Sequence, residues 1–146
     1  MYKTAFLLLV ALSCIQCGPS KKAARTYTND FPEELVHFVP YKSNPVFAGT
    51  NINTWDKNIR ERGYILHEDD GWHMWYTGYT DINETKWLGY ATSADGFNWT
   101  RYKDNPVYTT GWVEDMCVVK SDGVYYMFAE GRGDTAHLLT SKDRIH

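Results

Sequence analysis

The chain has 146 residues, with 15 Lys and Arg against 18 Asp and Glu, and a net charge of -3. It is 43% hydrophobic and 16% aromatic, with 6 Trp and 11 Tyr. That aromatic content excludes a disordered chain, which lacks the side chains to build a core. The composition also excludes collagen-like and coiled-coil proteins. The mild acidity argues against a nucleic-acid partner, because nucleic-acid-binding domains carry a basic surplus.

Residues 1–17 read as an export signal. Lys3 supplies the positive start, and Ala5-Phe6-Leu7-Leu8-Leu9-Val10-Ala11-Leu12 is a short apolar run. It falls well short of the about 20 residues needed to span a bilayer, so it is a targeting segment. A cysteine directly after such a run is similar to a bacterial lipoprotein processing site. Cys14, preceded by Ser13, fits that role better than Cys17, and ordinary cleavage without a lipid is the alternative. Both readings take the mature protein out of the cytoplasm, to the cell envelope or beyond it. Membrane contact is then expected only through the lipid anchor. Residues 18–30, with Lys21, Lys22 and Arg25, read as a tether. The remaining cysteine, Cys117, lies in an apolar run and is expected to be a small buried side chain.

From residue 31 onward no helical periodicity is sustained. Short β-branched and aromatic runs alternate with Gly, Asp and Asn turns, which is the pattern of strands and hairpins. The runs are Tyr64-Ile65-Leu66, His73-Met74-Trp75-Tyr76, Leu88–Thr92, Cys117-Val118-Val119, Val124–Phe128 and His137–Thr140. Asp70-Gly71 and Asp122-Gly123 are read as their tight turns.

These runs repeat. From Asp70 to Asp122 is 52 residues, and from the Thr92-Ser93 motif to Thr140-Ser141 is 48. Lys42-Ser43-Asn44-Pro45-Val46-Phe47 also matches Lys103-Asp104-Asn105-Pro106-Val107-Tyr108. A period of about fifty residues with about four strands per unit is that of a β-propeller blade. The expected fold is therefore all-β, a β-propeller of which residues 31–146 hold about the first two blades. The second copy stops at His146, inside a motif that the first copy carries on to Trp99, so the chain reads as the N-terminal piece of a longer protein.

Asn44-Pro45-Val46-Phe47, Trp55-Asp56, Trp75–Tyr79, Gly89–Trp99 and Asp122–Phe128 resemble the blade motifs of five-bladed β-propeller glycoside hydrolases. The likeness is to the superfamily of glycosyl hydrolase families 43 and 32, with its arabinosidases, xylosidases, fructan-cleaving enzymes and mannoside phosphorylases. It implies a carbohydrate substrate and an active site at one end of a central channel, with acids contributed by different blades. Such chemistry needs one carboxyl that donates a proton and another that stays ionised.

Glu114-Asp115, just before an apolar strand, matches where these enzymes place an acid-tuning Asp. In the first copy the equivalent stretch is Arg60-Glu61-Arg62-Gly63, with Glu61 opposite Glu114 and Arg62 opposite Asp115. The catalytic base is then Asp56 or Glu61, and the general acid is expected in later blades. Arg60 and Arg62 share one face of an extended strand; they grip a substrate carboxylate or phosphate, or they pair with the neighbouring acids. Trp55 and Trp112 are the candidates to stack on a sugar ring, and His137 is a candidate sugar contact. Glu130 reads as a turn charge or an acid at the channel. No His, Asp or Glu cluster has metal-ligand spacing and no phosphate loop precedes a helix, so neither a metal nor a cofactor is expected.

The expectation is thus an exported glycoside hydrolase acting on a polysaccharide or oligosaccharide. A non-catalytic carbohydrate-binding propeller and a glycoside phosphorylase are the alternatives.

Overall fold

A computed structural model describes residue 32 and residues 35–146. The export signal, Cys14 and the tether lie outside the described residues. The chain divides into Met1–Val39 and Pro40–His146. All eight described strands belong to the second unit, and among the described residues no helix is long and apolar enough to cross a membrane.

The strands form two antiparallel sheets. In the first, β1 (Asn58–Ile59) and β2 (Tyr64–Glu68) lie end to end along one edge of β3 (Gly71–Tyr79). They act as one inner strand broken at residues 60–63. Beyond β3 come β4 (Trp87–Ser93) and β5 (Thr100–Arg101), and backbone bonds between Leu88 and residues 107 and 108 extend that outer edge. The second sheet is β6 (Glu114–Ser121), β7 (Val124–Gly131) and β8 (Thr135–Ser141). The fold is all-β: two successive blades of a β-propeller.

The register refines the repeat. The first hairpin turns at residues 69–70, and Gly71 already pairs with Glu68, whereas the second turns at Asp122-Gly123. Matched on their turns, Glu68 aligns with Ser121, Tyr64 with Cys117 and Trp75 with Phe128. The two sequence offsets differ because the β3–β4 connection runs from residue 80 to 86, while the β7–β8 connection is only residues 132–134.

Alternation along the strands gives each sheet two apolar faces. Trp75, Leu88 and Tyr90 of the first blade, flanked by Tyr64 and Leu66, pack against Met116, Val118, Tyr125, Met127 and Ala129 of the second. The opposite face of the first blade gathers Met74, Tyr76 and Ala91 with Phe47, Trp55, Ile59 and Trp99. The opposite face of the second blade carries the counterparts of Tyr64, Leu66, Trp75 and Tyr90, namely Cys117, Val119, Phe128 and Leu138. There they are exposed, Val119 at 49%, Phe128 at 53% and Leu138 at 57%. Cys117 is therefore not the buried residue its apolar neighbours predict, because it belongs to this outward row.

Each blade carries the same terminal turn. Asp95 accepts from the Ser93 hydroxyl and from the amides of Phe97 and Asn98, and Asp143 repeats this with Ser141, Ile145 and His146. These donors hold both carboxyls well below the usual carboxylate range. Gly96 has φ +76°, and its counterpart Arg144 adopts φ 78° despite its side chain. The guanidinium compensates by bridging the blades. It meets Glu68 at 2.8 Å, the Tyr125 hydroxyl at 2.9 Å and Asp70 at 3.0 Å, and the Arg144 carbonyl accepts from Trp75 Nε1 at 3.0 Å. Lys120 and the Tyr125 hydroxyl also donate to Glu68. Partial burial opposes ionisation of Glu68, but these donors win and bring its pKa down to about 2.

A carboxyl held low in the folded state stabilises it above the unfolded pKa, and that contribution is lost as pH falls toward about 2. Glu68→Gln is therefore expected to lower stability by about 2 kcal/mol at neutral pH. Thermal melts should show the wild-type advantage shrinking from about pH 5 downward. An advantage that does not change with pH would remove the ion cluster from this account. A second expected outcome concerns the uncovered face: the 146-residue chain should self-associate in light scattering, and Phe128→Lys with Leu138→Lys should reduce it.

Candidate functional site

The inner strands of both blades are irregular at matching places. In the first blade, residues 60–63 interrupt the pairing with β3, held at one end by the Arg60 amide donating to the Thr77 carbonyl at 3.0 Å. In the second, β6 and β7 lose register between Glu114 and Cys117, and Asp115 takes φ 51°. Asp tolerates this left-handed conformation better than most residues. The bulge lets Glu114 and Asp115 both meet the charges of the first blade.

Arg60 Nε lies 2.9 Å from Glu114 Oε2, and Arg62 lies 2.6 Å from Asp115 and 3.5 Å from Glu61. The Arg60–Glu114 contact lies off the hydrogen-bonding line. It is thus an ion pair that leaves both atoms with bonding capacity unspent, as is Asp115 Oδ1. Glu114 is 7% exposed, and its other oxygen accepts from Trp112 Nε1 at 2.8 Å. Glu61 is exposed; its own backbone amide and the cations of Arg60 and Arg62 hold its carboxyl below the usual range.

Glu130 pairs with Glu114 across β6 and β7. Its carboxyl is pushed up, first by local desolvation, then by Asp134 and by the charges of Asp115 and Glu114. With Asp115 and Asp134 it lines a shallow depression of about 390 Å³. The site therefore combines one carboxyl held toward its ionised form, Glu61, with one biased toward its protonated form, Glu130.

Two interactions set the start of β6 against the first blade. The buried Thr77 hydroxyl donates to the Val113 carbonyl at 2.9 Å, and the Val113 amide donates to the Lys86 carbonyl at 2.9 Å. Lys86 is 1% exposed. Its ammonium donates to the carbonyls of Ile82 and Glu84, and it lies 4.3 Å from the Tyr79 ring centroid and 4.7 Å from that of Trp112. Burial lowers its pKa, with Glu114 acting in the opposite sense.

Glu61, Arg60, Arg62, Glu114, Asp115 and Trp112 thus come together. Asp56 does not join them. It is 3% exposed on the other face of the first blade, where it accepts from Arg101 Nε at 2.8 Å, the Tyr76 hydroxyl at 3.1 Å and the Thr54 hydroxyl at 3.0 Å. Both its oxygens are engaged, which corrects its reading as a base. Trp55 stacks on Tyr76 with centroids 5.6 Å apart. Its ring fills the space over Gly78 and Gly89, where any Cβ would fall within 2.3 and 2.6 Å of ring atoms. Trp112 is flanked by Lys86 and by Arg132, the latter 5.5 Å from its centroid, so it braces Glu114. His137 sits further out on β8, with Nδ1 buried and unpartnered among the described residues.

The sequence reading missed Lys86, whose role depends on a loop folding back over it. It also missed Glu68 and Arg144, although an Arg at the position of Gly96 in the repeat was a visible departure. Glu68, Asp70 and His73 approach one another within 4.8 Å. Their charges are already matched by Arg144 and Lys120, and His73 is fully used. Asp70 can only accept, so His73 Nε2 carries the proton at 2.9 Å, and Nδ1 accepts from the Tyr90 hydroxyl at 2.6 Å.

No protein-family model matches the chain. It is 33% identical over 130 residues to a 1,2-beta-oligomannan phosphorylase of Thermoanaerobacter sp. (strain X514), covering 76% of this chain and 43% of that protein. It is 28% identical over 109 residues to a beta-1,2-mannobiose phosphorylase of the same strain, covering 62% of this chain and 36% of that protein. The chain thus spans less than half the length of these relatives. A crystal structure of a glycosyl hydrolase from Bacteroides ovatus shares the fold at a TM-score of 0.56 and 21% identity, over 73% of this chain and 38% of that one. The homologues are glycoside-processing enzymes.

If the Arg60–Glu114 pair couples the inner strands, Arg60→Met and Glu114→Gln are non-additive. A double-mutant cycle in denaturant unfolding should give a coupling of about 1–3 kcal/mol. Additive losses would mean that the pair contributes nothing to holding the strands together.

Proposed function

We propose that this chain is part of an exported enzyme that cleaves β-mannosidic bonds by hydrolysis, with its carboxyls at the matched breaks of the inner strands. One observation carries the reading: Glu61, Glu114 and Asp115 converge there around two arginines, beside a Glu130 whose carboxyl is pushed up. In this scheme Glu130 gives its proton to the leaving glycosidic oxygen as the C–O bond breaks. A second carboxyl group, Asp115 or Glu61, acts as the base that takes a proton from the attacking water. Water is favoured as the acceptor because Arg60 and Arg62 each already face a carboxylate, Glu114 and Asp115, whose charge opposes an incoming phosphate. The mannoside substrate is taken from the two sequence relatives. Phosphorolysis is the second reading, favoured by the activity in those relatives' names. Export, with Cys14 as a lipidated N-terminus, belongs to the same proposal.

The test uses the intact protein that carries this chain, with β-1,2-mannobiose in the presence and absence of inorganic phosphate. Release of free mannose independent of phosphate is expected, and turnover that requires phosphate would replace hydrolysis by phosphorolysis. Asp115→Asn should cut kcat/KM at least about a hundredfold. An acid must be protonated to act, so kcat/KM falls as pH rises through the Glu130 pKa, and Glu130→Gln abolishes that limb. Cleavage unchanged in both variants would exclude this site, and no cleavage under any condition would leave a binding propeller.

A further inference from the structure

Two clefts open where the β3–β4 and β7–β8 connections lie, and the second reaches Trp112, whose indole bonds Glu114 of the carboxylate cluster. The first, about 300 Å³, is lined by Trp55, Asn83, Thr85, Trp87 and Arg132 among others. The second, about 550 Å³, takes in Thr85, Trp87, Trp112, Arg132, Thr135 and His137. Thr85, Trp87 and Arg132 belong to both, so the clefts form one groove bearing three indoles. We propose that this groove binds the non-reacting units of a neutral oligosaccharide whose reacting end lies at Glu114 and Asp115. The inference rests on the glycoside-cleaving reading above.

A pyranose ring has an apolar C–H face and an edge of hydroxyls. The groove offers the complement, indole surfaces interleaved with Thr hydroxyls, the Asn83 amide and an imidazole. Two of the indoles are held before any ligand arrives. Trp55 is backed by Tyr76 at an interplanar angle of 28°, and Trp112 is fixed by its bond to Glu114 and by the Lys86 ammonium. Preformed aromatic surfaces lose little conformational freedom on binding. His137 Nδ1 is buried without a partner, and a buried polar atom in that state is costly unless a ligand or water meets it. The charged side chains lining the groove, Glu84 and Arg132, are of opposite sign, which suits a neutral chain better than a polyanion. The Trp112–Glu114 bond makes one side chain both the end of the groove and the wall of the carboxylate cluster.

The experiment follows kcat/KM against substrate length in the intact protein, using β-1,2-mannan oligomers from the disaccharide upward. It compares wild type, Trp87→Ala, Trp87→Phe and, as an exposed ring outside the groove, Phe97→Ala. Wild-type kcat/KM should rise with length. Trp87→Ala should cut the long-to-short ratio about tenfold through KM rather than kcat, as expected for lost substrate binding away from the reacting bond. Trp87→Phe should recover most of the ratio, and Phe97→Ala should keep it. A wild type indifferent to length, or a Trp87→Ala loss equal at every length, would overturn the groove. Calorimetric titration with the same oligomers reads the groove independently of turnover. Longer oligomers that bind wild type but not Trp87→Ala support it even if the chemistry proves different, and no length-dependent binding rejects it. Failure of the cleavage reading shows elsewhere, as unimpaired disaccharide cleavage by Asp115→Asn.

Discussion

The packing of one blade face on the next decides everything else in this chain. Trp75, Leu88 and Tyr90 can bury themselves only against a surface such as Met116, Val118 and Met127. Burial of side chains this large is worth about 1.5–3 kcal/mol each. That seam sets the two inner strands side by side, and the charges follow. Once Val118 and Met116 are seated, Glu114 and Asp115 lie opposite Arg60 and Arg62. The ion pairs are a consequence of the seam, because the packing of Met116 and Val118 fixes where Glu114 and Asp115 stand.

Lys86 illustrates how the seam is closed at the end bearing the site. A buried ammonium is costly unless its protons find acceptors. Here two loop carbonyls accept them, and the rings of Tyr79 and Trp112 face the charge. The same residue's carbonyl receives the Val113 amide. One side chain thus folds the β3–β4 connection, braces Trp112 and docks the first residues of the next inner strand. Trp112 in turn orients Glu114. Positioning of the carboxylate therefore begins in a loop of the preceding blade.

The two-blade architecture was legible because hairpins impose period-two alternation and the blade repeats its turns. Alignment of Glu61 with Glu114 and of Arg62 with Asp115 was also legible; in the structure Arg62 meets Asp115, whereas Glu114 meets Arg60. Asp56 could not be read correctly, because its partner Arg101 is 45 residues away and only the folded blade brings them together. Cys117 failed for a different reason. An apolar run such as Met116–Val119 fits a strand buried on both faces as well as one with an uncovered face, and local sequence does not tell these apart. The single-residue slip at Asp70-Gly71 has the same origin, since Gly also tolerates the φ of +124° found at the first residue of β3.

The arginines are central to the proposed choice of water over phosphate as the nucleophile. Two guanidiniums beside a lone substrate phosphate would form an anion pocket. Here each already faces a carboxylate, and Arg62 is shared between Glu61 and Asp115. In the proposed reading, phosphate at this point would meet the negative charges of Glu61, Glu114 and Asp115 beside the two cations, whereas water carries no charge. The cluster also contains more acids than cations once Glu130 and Asp134 are counted, and that surplus adds to desolvation in pushing Glu130 toward its protonated form. In the proposed hydrolysis, the same crowding of carboxylates that stands against an anionic nucleophile also raises the neighbouring carboxyl proposed as the acid.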